Sequence, residues 1–351
     1  MQALTFQAPG DVRVERAADP RIEAPGDVLV RVEVAGLCGS DLHPYRGREE
    51  GLDPGTVMGH ELVGEVVEAG DDVERFRPGD RVVAPFTTSC GACFFCQAGL
   101  SSRCERGELL GWVEEGRGLH GAQAELVRVP LADTTLVPLR PEDPAETVLL
   151  AGDVAATGLF AALSAGVGPG RVVAVVGCGP VGLCAVAAAR ELGAERVFAL
   201  DTVPERRVLA EAFGAEALDP GALHEREAAG TIRESTDGRG ADAVLEAVGT
   251  PEASRTAFEL ARPGATLVAV GVHTEPRLAV TPEELYDKNL TYRAGRCPAR
   301  SLMERALALV RSGRHPFERI VSHRMPLADA PRAYEVFDRK LDGCTKAVLV
   351  P

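Results

Sequence analysis

Lysine is nearly absent: only three of the 38 basic residues are lysine, and the rest are arginine. Asparagine occurs once, at Asn289, and tryptophan once, at Trp112. High-GC coding accounts for this bias as well as heat adaptation does. Positive charge as a whole is scarce, with 38 basic against 52 acidic residues, a net charge of −14 and a pI near 5.1. Nucleic-acid binders need Lys and Arg to displace counterions from phosphates, so that balance excludes nucleic acid as the main partner. Long unbroken apolar runs are missing too. The most apolar stretch, from Arg171 to Arg190, is interrupted by Gly177, Gly179, Pro180 and Gly182, and we read no transmembrane helix in it. Met1 to Gly10 has neither the basic start nor the apolar core of a secretory signal, so a cytoplasmic protein without membrane partners is expected. Cysteine is present in an odd number, nine, with four between positions 90 and 104. Without an export signal, that pattern points to metal rather than disulfides.

What is present describes a folded enzyme-sized chain. At 351 residues and roughly 150 residues per domain, two domains are the default. A 45% hydrophobic content excludes a disordered regulator. To about residue 150 the pattern is short β-like runs, among them Val28–Val34, Leu62–Glu68, Arg81–Ala84 and Ala124–Val129, separated by Pro-Gly and Gly-Asp punctuation. Beyond residue 151 strands and helices alternate. Arg171–Val176, Arg196–Leu200, Ala241–Val248 and Ala265–Val270 read as strands, and Val181–Leu192, Pro204–Phe213 and Pro251–Ala261 as helices. Such βαβ alternation implies a right-handed, doubly wound parallel sheet. From about Leu290 the alternation ends. Helical patterns at Ser301–Ser312 and Leu327–Lys340 precede a last strand, Ala347–Val350, which is expected to return to the first domain. The expected division is 1–152 with 290–351, enclosing 153–289.

Gly177-Cys178-Gly179-Pro180-Val181-Gly182 sits where a strand gives way to a helix. Gly177 permits the tight turn, Gly179 lets the backbone approach a pyrophosphate, and Gly182 lets helix pack on strand. The helix N-terminus offers its free N–H groups to the phosphates. Asp201 closes the next predicted strand, 19 residues past Gly182. Its carboxylate suits an adenosine ribose diol and repels a 2′-phosphate, which selects NAD over NADP. Arg206 and Arg207 lie near enough to temper that repulsion, and Arg206 joins the expected cofactor contacts.

Cys90, Cys93, Cys96 and Cys104 follow C-x2-C-x2-C-x7-C. Four thiolates on short loops close a tetrahedral shell and read as a structural zinc, with an iron–sulfur cluster or unliganded thiols as alternatives.

Together with the segments Gly36–His43, Gly59-His60-Glu61 and Gly152–Gly158, these features resemble the zinc-dependent medium-chain dehydrogenase/reductase family of the alcohol dehydrogenase type, along essentially the whole chain. The resemblance implies an α/β protein: a GroES-like irregular β catalytic domain plus a Rossmann domain. It implies a second, catalytic zinc on Cys38, His60 and Asp153, with Glu61 beside the metal. Spacing alone would leave Cys38 a buried small side chain and His60 a core histidine. Ser40 and His43 match the family's proton relay, and Thr157 and Val181 match positions against the nicotinamide. Phe86, Trp112 and Cys297 fall where relatives line the substrate pocket, and Trp112 reads equally well as core. An acid at Asp201 departs from the secondary-alcohol members that use NADP. Lys346 is expected at a cofactor phosphate, and His120, His224, His273, His315 and His323 carry no ligand spacing.

The implied activity is reversible oxidation of a small primary or secondary alcohol to aldehyde or ketone by hydride transfer to NAD, in a homo-oligomer, a tetramer rather than a dimer. Formaldehyde oxidation or dismutation, polyol oxidation and threonine oxidation are the alternatives within the family. From other classes, a nucleotide-sensing protein has no need of Ser40 and His43, and a four-cysteine nucleic-acid finger disagrees with the charge.

Overall fold

The computed structural model describes residues 1–220 and 225–351, so His224 lies outside the described residues. The chain forms two compact units. One comprises Met1–Ala156, Pro298–Arg311 and Ile320–Pro351, and the other Thr157–Cys297 and Ser312–Arg319.

The first unit is built on a seven-stranded, mostly antiparallel sheet. Its order runs His323–Pro326, Ala347–Val350, Val28–Gly36, Leu62–Ala69, Arg81–Ala84 and Val137–Pro138, with Leu126–Val129 also paired to Val28–Gly36. Val28–Gly36 is buried at both ends and exposes only Arg31 and Glu33, so alternation is confined to its middle. The C-terminal strand pairs with it antiparallel, Val348 opposite Gly36. Two helices carry apolar stripes at i, i+3, i+4 and i+7. Ala299–Val310 buries Met303, Ala306, Leu307 and Val310, and Ala330–Arg339 buries Ala330, Ala333, Tyr334 and Phe337. The first of these packs on the 3-10 turn Leu149–Gly152.

The second unit holds a six-stranded parallel sheet. Its order is Glu216–Leu218, Arg196–Leu200, Val172–Val176, Ala241–Glu246, Ala261–Ala269 and Thr291–Ala294. All five residues of Val172–Val176 are buried, which explains their unbroken apolar run. The apolar stretch that begins at Arg171 is therefore a core strand followed by the helix Pro180–Glu191. Among the described residues no single helix is long and apolar enough to cross a membrane.

Three elements depart from the sequence reading. Alternation does not end at Leu290, because Thr291–Ala294 adds a sixth parallel strand. Three of its four residues are exposed, so it carries no apolar signal. Glu216–Leu218 is only three residues long, too short for a recognisable strand pattern. The hairpin Gln2–Ala8 with Asp11–Arg16 was not anticipated, since its second strand is largely exposed.

Phe198 is fully buried in the second unit's core with Val172, Val176, Ile232 and Val244. Phe198→Ala should destabilise that unit by about 3–5 kcal/mol. The check is a urea titration followed by circular dichroism, where an unchanged midpoint would contradict this core assignment.

Candidate active site and metal centres

Sheet register gathers the dispersed residues. Val28–Gly36 and Leu62–Ala69 are antiparallel neighbours with Ala35 opposite Leu62, and Gly36 N donates to Glu61 O at 3.1 Å. Cys38 and His60 therefore emerge from the same end of the sheet although 22 positions separate them. The next strand pairs Ala84 with Leu62, placing Phe86 there, and the C-terminal strand places Lys346 there. Gly152 completes the set. A Cβ on it would stand 2.3 Å from Ala84 O, so only glycine lets the turn bring Asp153 to this end.

The ligand atoms of Cys38, His60, Glu61 and Asp153 lie within 4.8 Å of one another. Cys38 Sγ donates to Asp153 Oδ2 at 3.2 Å, and His60 Nε2 lies 3.4 Å from the same oxygen. Ser40 Oγ is 3.3 Å from His60 Nε2. Burial, and then the charge of Asp153, push the Cys38 thiol up. Burial opposes ionisation of Asp153 too, but the hydrogen bond from His60 holds it down to about 2. Desolvation also opposes a charge on His60, yet Asp41 and Asp153 raise it well above the usual histidine value. Two potential anions 3.2 Å apart thus compete for positive charge. The donor set fits Zn²⁺: a thiolate, an imidazole and a carboxylate would neutralise a divalent ion, with the Glu61 carboxylate in reach beside them. Behind His60, Asp41 Oδ1 lies 3.1 Å from Nδ1, which turns Nε2 toward the cluster. Sequence reading missed Asp41, because one acid in a turn has no distinguishing pattern.

The expectation for Lys346 is corrected. It does not face a phosphate but is fully buried, with Nζ 2.6 Å from Glu61 Oε2 and 3.1 Å from Leu37 O. Glu61 is equally buried, and burial pushes its carboxyl up to about 7 against the pull of Lys346. A Cβ on Gly36 would stand 1.8 Å from Glu61 Oε2, so that glycine admits the carboxylate.

Phe86 presents its ring edge-on to His60 at 6.4 Å, and Thr157 and Cys297 are buried. Trp112 packs on the core around Leu52, Met58 and Tyr334 and borders an open groove of about 400 Å³ with Glu108, Leu109 and Arg117. The structure thus brings Phe86 to the cluster and places Trp112 against core. His43 is half-buried, and its Nδ1 has no hydrogen-bond partner among the described residues. Burial and the charges of Arg48 and Arg46 lower its pKa.

The second metal candidate is Cys90, Cys93, Cys96 and Cys104, again within 4.8 Å. Backbone N–H groups point at the sulfurs: Cys93 N to Cys90 Sγ at 3.3 Å, and Cys90 N to Cys104 Sγ at 3.2 Å. The backbone bond from Ala92, and after it that from Cys93, bring the Cys90 thiol down to about 6, while burial and neighbouring sulfurs push Cys96 up to about 12. Four sulfurs gathered around one point suit a closed S4 metal shell.

In the other unit Gly177 has φ +94°, and a Cβ on Gly182 would stand 1.7 Å from Gly177 O. The helix Pro180–Glu191 starts from Gly179 as its N-cap, with Pro180 at the first position and Val181 behind it. Asp201 Oδ2 accepts from Cys178 N and Oδ1 from Val203 N, both at 2.8 Å, which fixes the carboxylate beside the turn. Arg206 Nη1 lies 3.9 Å from Asp201 Oδ2, whereas Arg207 is engaged by Asp219 at 2.9 Å. His273 also acquires a partner: Nε2 lies 3.0 Å from Glu246 Oε2, whose Oε1 accepts from Val248 N and Gly249 N at 2.7 Å.

Residues 24–140 match the alcohol dehydrogenase GroES-like domain, and residues 180–312 match the zinc-binding dehydrogenase domain. The chain is 44% identical over 349 residues to zinc-type alcohol dehydrogenase B of Aspergillus flavus, covering 96% of this chain and 79% of the relative. It superposes on alcohol dehydrogenase TADH from Thermus sp. ATN1 with a TM-score of 0.92 at 40% identity, over 100% and 99% of the two chains. Formaldehyde dismutase of Pseudomonas putida is 38% identical over 233 residues, 62% of this chain and 58% of that protein.

Lys346→Met would leave Glu61 buried without its counter-charge and should destabilise the protein by about 3–5 kcal/mol. Thermal denaturation of Lys346→Met beside the double variant Lys346→Met/Glu61→Gln checks this. The double variant should recover part of the loss, and equal losses would contradict the ion-pair account.

Proposed function

The chain belongs to the zinc-binding medium-chain alcohol dehydrogenase family, and from that premise we propose that it oxidises small primary or secondary alcohols, reversibly, with NAD as hydride acceptor. It is a zinc-type alcohol dehydrogenase, an oxidoreductase acting on CH–OH groups. The observation that carries the finer reading is the convergence of Cys38, His60 and Asp153 on one point, with Ser40 beside them.

Zinc held there supplies Lewis-acid polarisation of an alcohol oxygen, which lowers the pKa of that hydroxyl toward neutrality. Asp41 holds His60 in the tautomer whose Nε2 is free to ligate. Ser40 would relay the hydroxyl proton, giving up its own as it takes it, and a neutral His43 would accept the relayed proton and release it to solvent. Its lowered pKa keeps it neutral, and so able to accept, at pH 7. Phe86 contributes an apolar wall that favours a hydrocarbon substituent over a polyol.

NAD rather than NADP is supported by the fixed Asp201 carboxylate, which meets a ribose diol well and a 2′-phosphate badly. The Gly177–Gly182 turn and the helix N-terminus behind it would take the pyrophosphate. A homo-oligomer is supported by the exposed strand Thr291–Ala294 at the edge of the parallel sheet, and the tetramer rests on the family resemblance alone. The likeness to a formaldehyde dismutase supports a second reading, dismutation of aldehyde on retained cofactor.

NADH formation from a panel of alcohols is the test. Turnover with NAD⁺ should exceed that with NADP⁺ and vanish on removal of zinc. Preference for NADP⁺ would overturn the role given to Asp201, and aldehyde conversion without added cofactor would select the second reading. His43→Gln should lower turnover roughly 10²-fold. In the parent, activity should fall only as pH drops below the ordinary histidine value near 6.5, since His43 must be neutral to accept. An unchanged acid limb in His43→Gln would remove His43 from the relay.

A further inference from the structure

Asp41, which orients His60, is itself held by buried groups that no motif announces. Its Oδ2 accepts from Cys38 N at 2.9 Å and from Gln123 Nε2 at 3.4 Å. Gln123 Nε2 also donates to Gly36 O at 3.1 Å, and its Oε1 accepts from Tyr334 Oη at 2.9 Å. Gln123 and Tyr334 are both fully buried. The amide has only one workable orientation. Reversed, it would set its carbonyl oxygen against Gly36 O and the Asp41 carboxylate, and its NH₂ would face the Tyr334 hydroxyl. Gly36 O and the Asp41 carboxylate, which can only accept, therefore fix which way Gln123 points, and Tyr334 supplies the donor that its buried Oε1 needs.

Gln123 also touches both chain segments that carry ligands. Its backbone N donates to Met58 O at 2.8 Å, and a Cβ on Gly59 would stand 2.4 Å from Gln123 Cγ. One side chain thus abuts Gly36, two residues before Cys38, and Gly59, the residue before His60. Tyr334 reaches it from the buried stripe of Ala330–Arg339, with the ring of Tyr45 5.4 Å away.

We propose that Tyr334 and Gln123 are positioning residues for the metal at Cys38, His60 and Asp153, acting through Asp41 to hold His60 and the Cys38 turn in ligating geometry. The proposal rests on reading that cluster as a zinc site. Neither residue touches the metal or the substrate. Their effect is on how tightly the first ligands are held, and outer partners of this kind typically change metal affinity 10–100-fold.

The test compares the full-length zinc-loaded protein with Tyr334→Phe, Gln123→Met and the double variant. A metallochromic chelator reports zinc released over time, and Cys93→Ser identifies the phase that belongs to the four-cysteine loop. That loop serves as an internal reference. Release of the other zinc should quicken about 10-fold in Tyr334→Phe and up to about 100-fold in Gln123→Met. The reference phase should be unchanged. Because the two act in series, the double variant should release zinc no faster than Gln123→Met alone. If Gln123→Met does not fold, Tyr334→Phe alone decides. Unchanged release in the variants, or both phases quickened alike, would overturn the proposal while leaving the metal reading standing. A parent protein that binds zinc only at the four-cysteine loop would overturn both.

Discussion

Everything at the catalytic end of the first unit follows from an excess of buried acceptors that must be matched by positive charge. Asp41, Glu61 and Asp153 are all buried, with the Cys38 thiol among them. Burying carboxylates without counter-charges is costly enough that the groups would take up protons instead. The fold meets the demand with two kinds of cation. Lys346, delivered by the C-terminal strand, is dedicated to Glu61. The remaining side, between Cys38, His60 and Asp153, is left to a proton on His60 or to a metal ion. That demand for positive charge is what makes the cluster a candidate metal site.

The same economy of placement governs the glycines. Gly36 and Gly152 lie where a side chain would displace Glu61 or push the Asp153 turn off Ala84. Gly182 does for the nucleotide turn what they do for the metal cluster, letting helix and strand approach at Gly177. In each case a chemistry-bearing residue sits one or two positions from a sheet or helix end whose close packing only glycine permits. Catalytic groups at the rim of a rigid sheet are positioned by register, and register is specified by buried alternating side chains.

Legibility in the sequence tracked how local the physics is. The nucleotide turn could be read because glycine spacing, strand, helix and Asp201 lie within one βαβ unit. The gathering of the four cysteines could be read because all of them fall in 15 consecutive positions. Cys38 and Asp153 are 115 residues apart in the chain, and the candidate set comes together through strand pairing and the Gly152 turn, so family resemblance and not spacing singled its members out. Lys346 was misassigned because the strand Ala347–Val350 that follows it is legible, but its pairing beside Gly36, which sets Lys346 against Glu61, is not. Asp41, Gln123 and Tyr334 gave no signal, since each matters only through the next. Thr291–Ala294 was missed for the opposite reason: an exposed edge strand lacks the apolar run by which buried parallel strands are recognised.

Zinc content and turnover measured together on Cys38→Ala address the central claim most directly. The account predicts that the parent holds two zincs per chain, that Cys38→Ala keeps its fold with one, and that alcohol oxidation is lost with the other. A folded Cys38→Ala protein that still holds two zincs, or that oxidises alcohols at the parental rate, would contradict it.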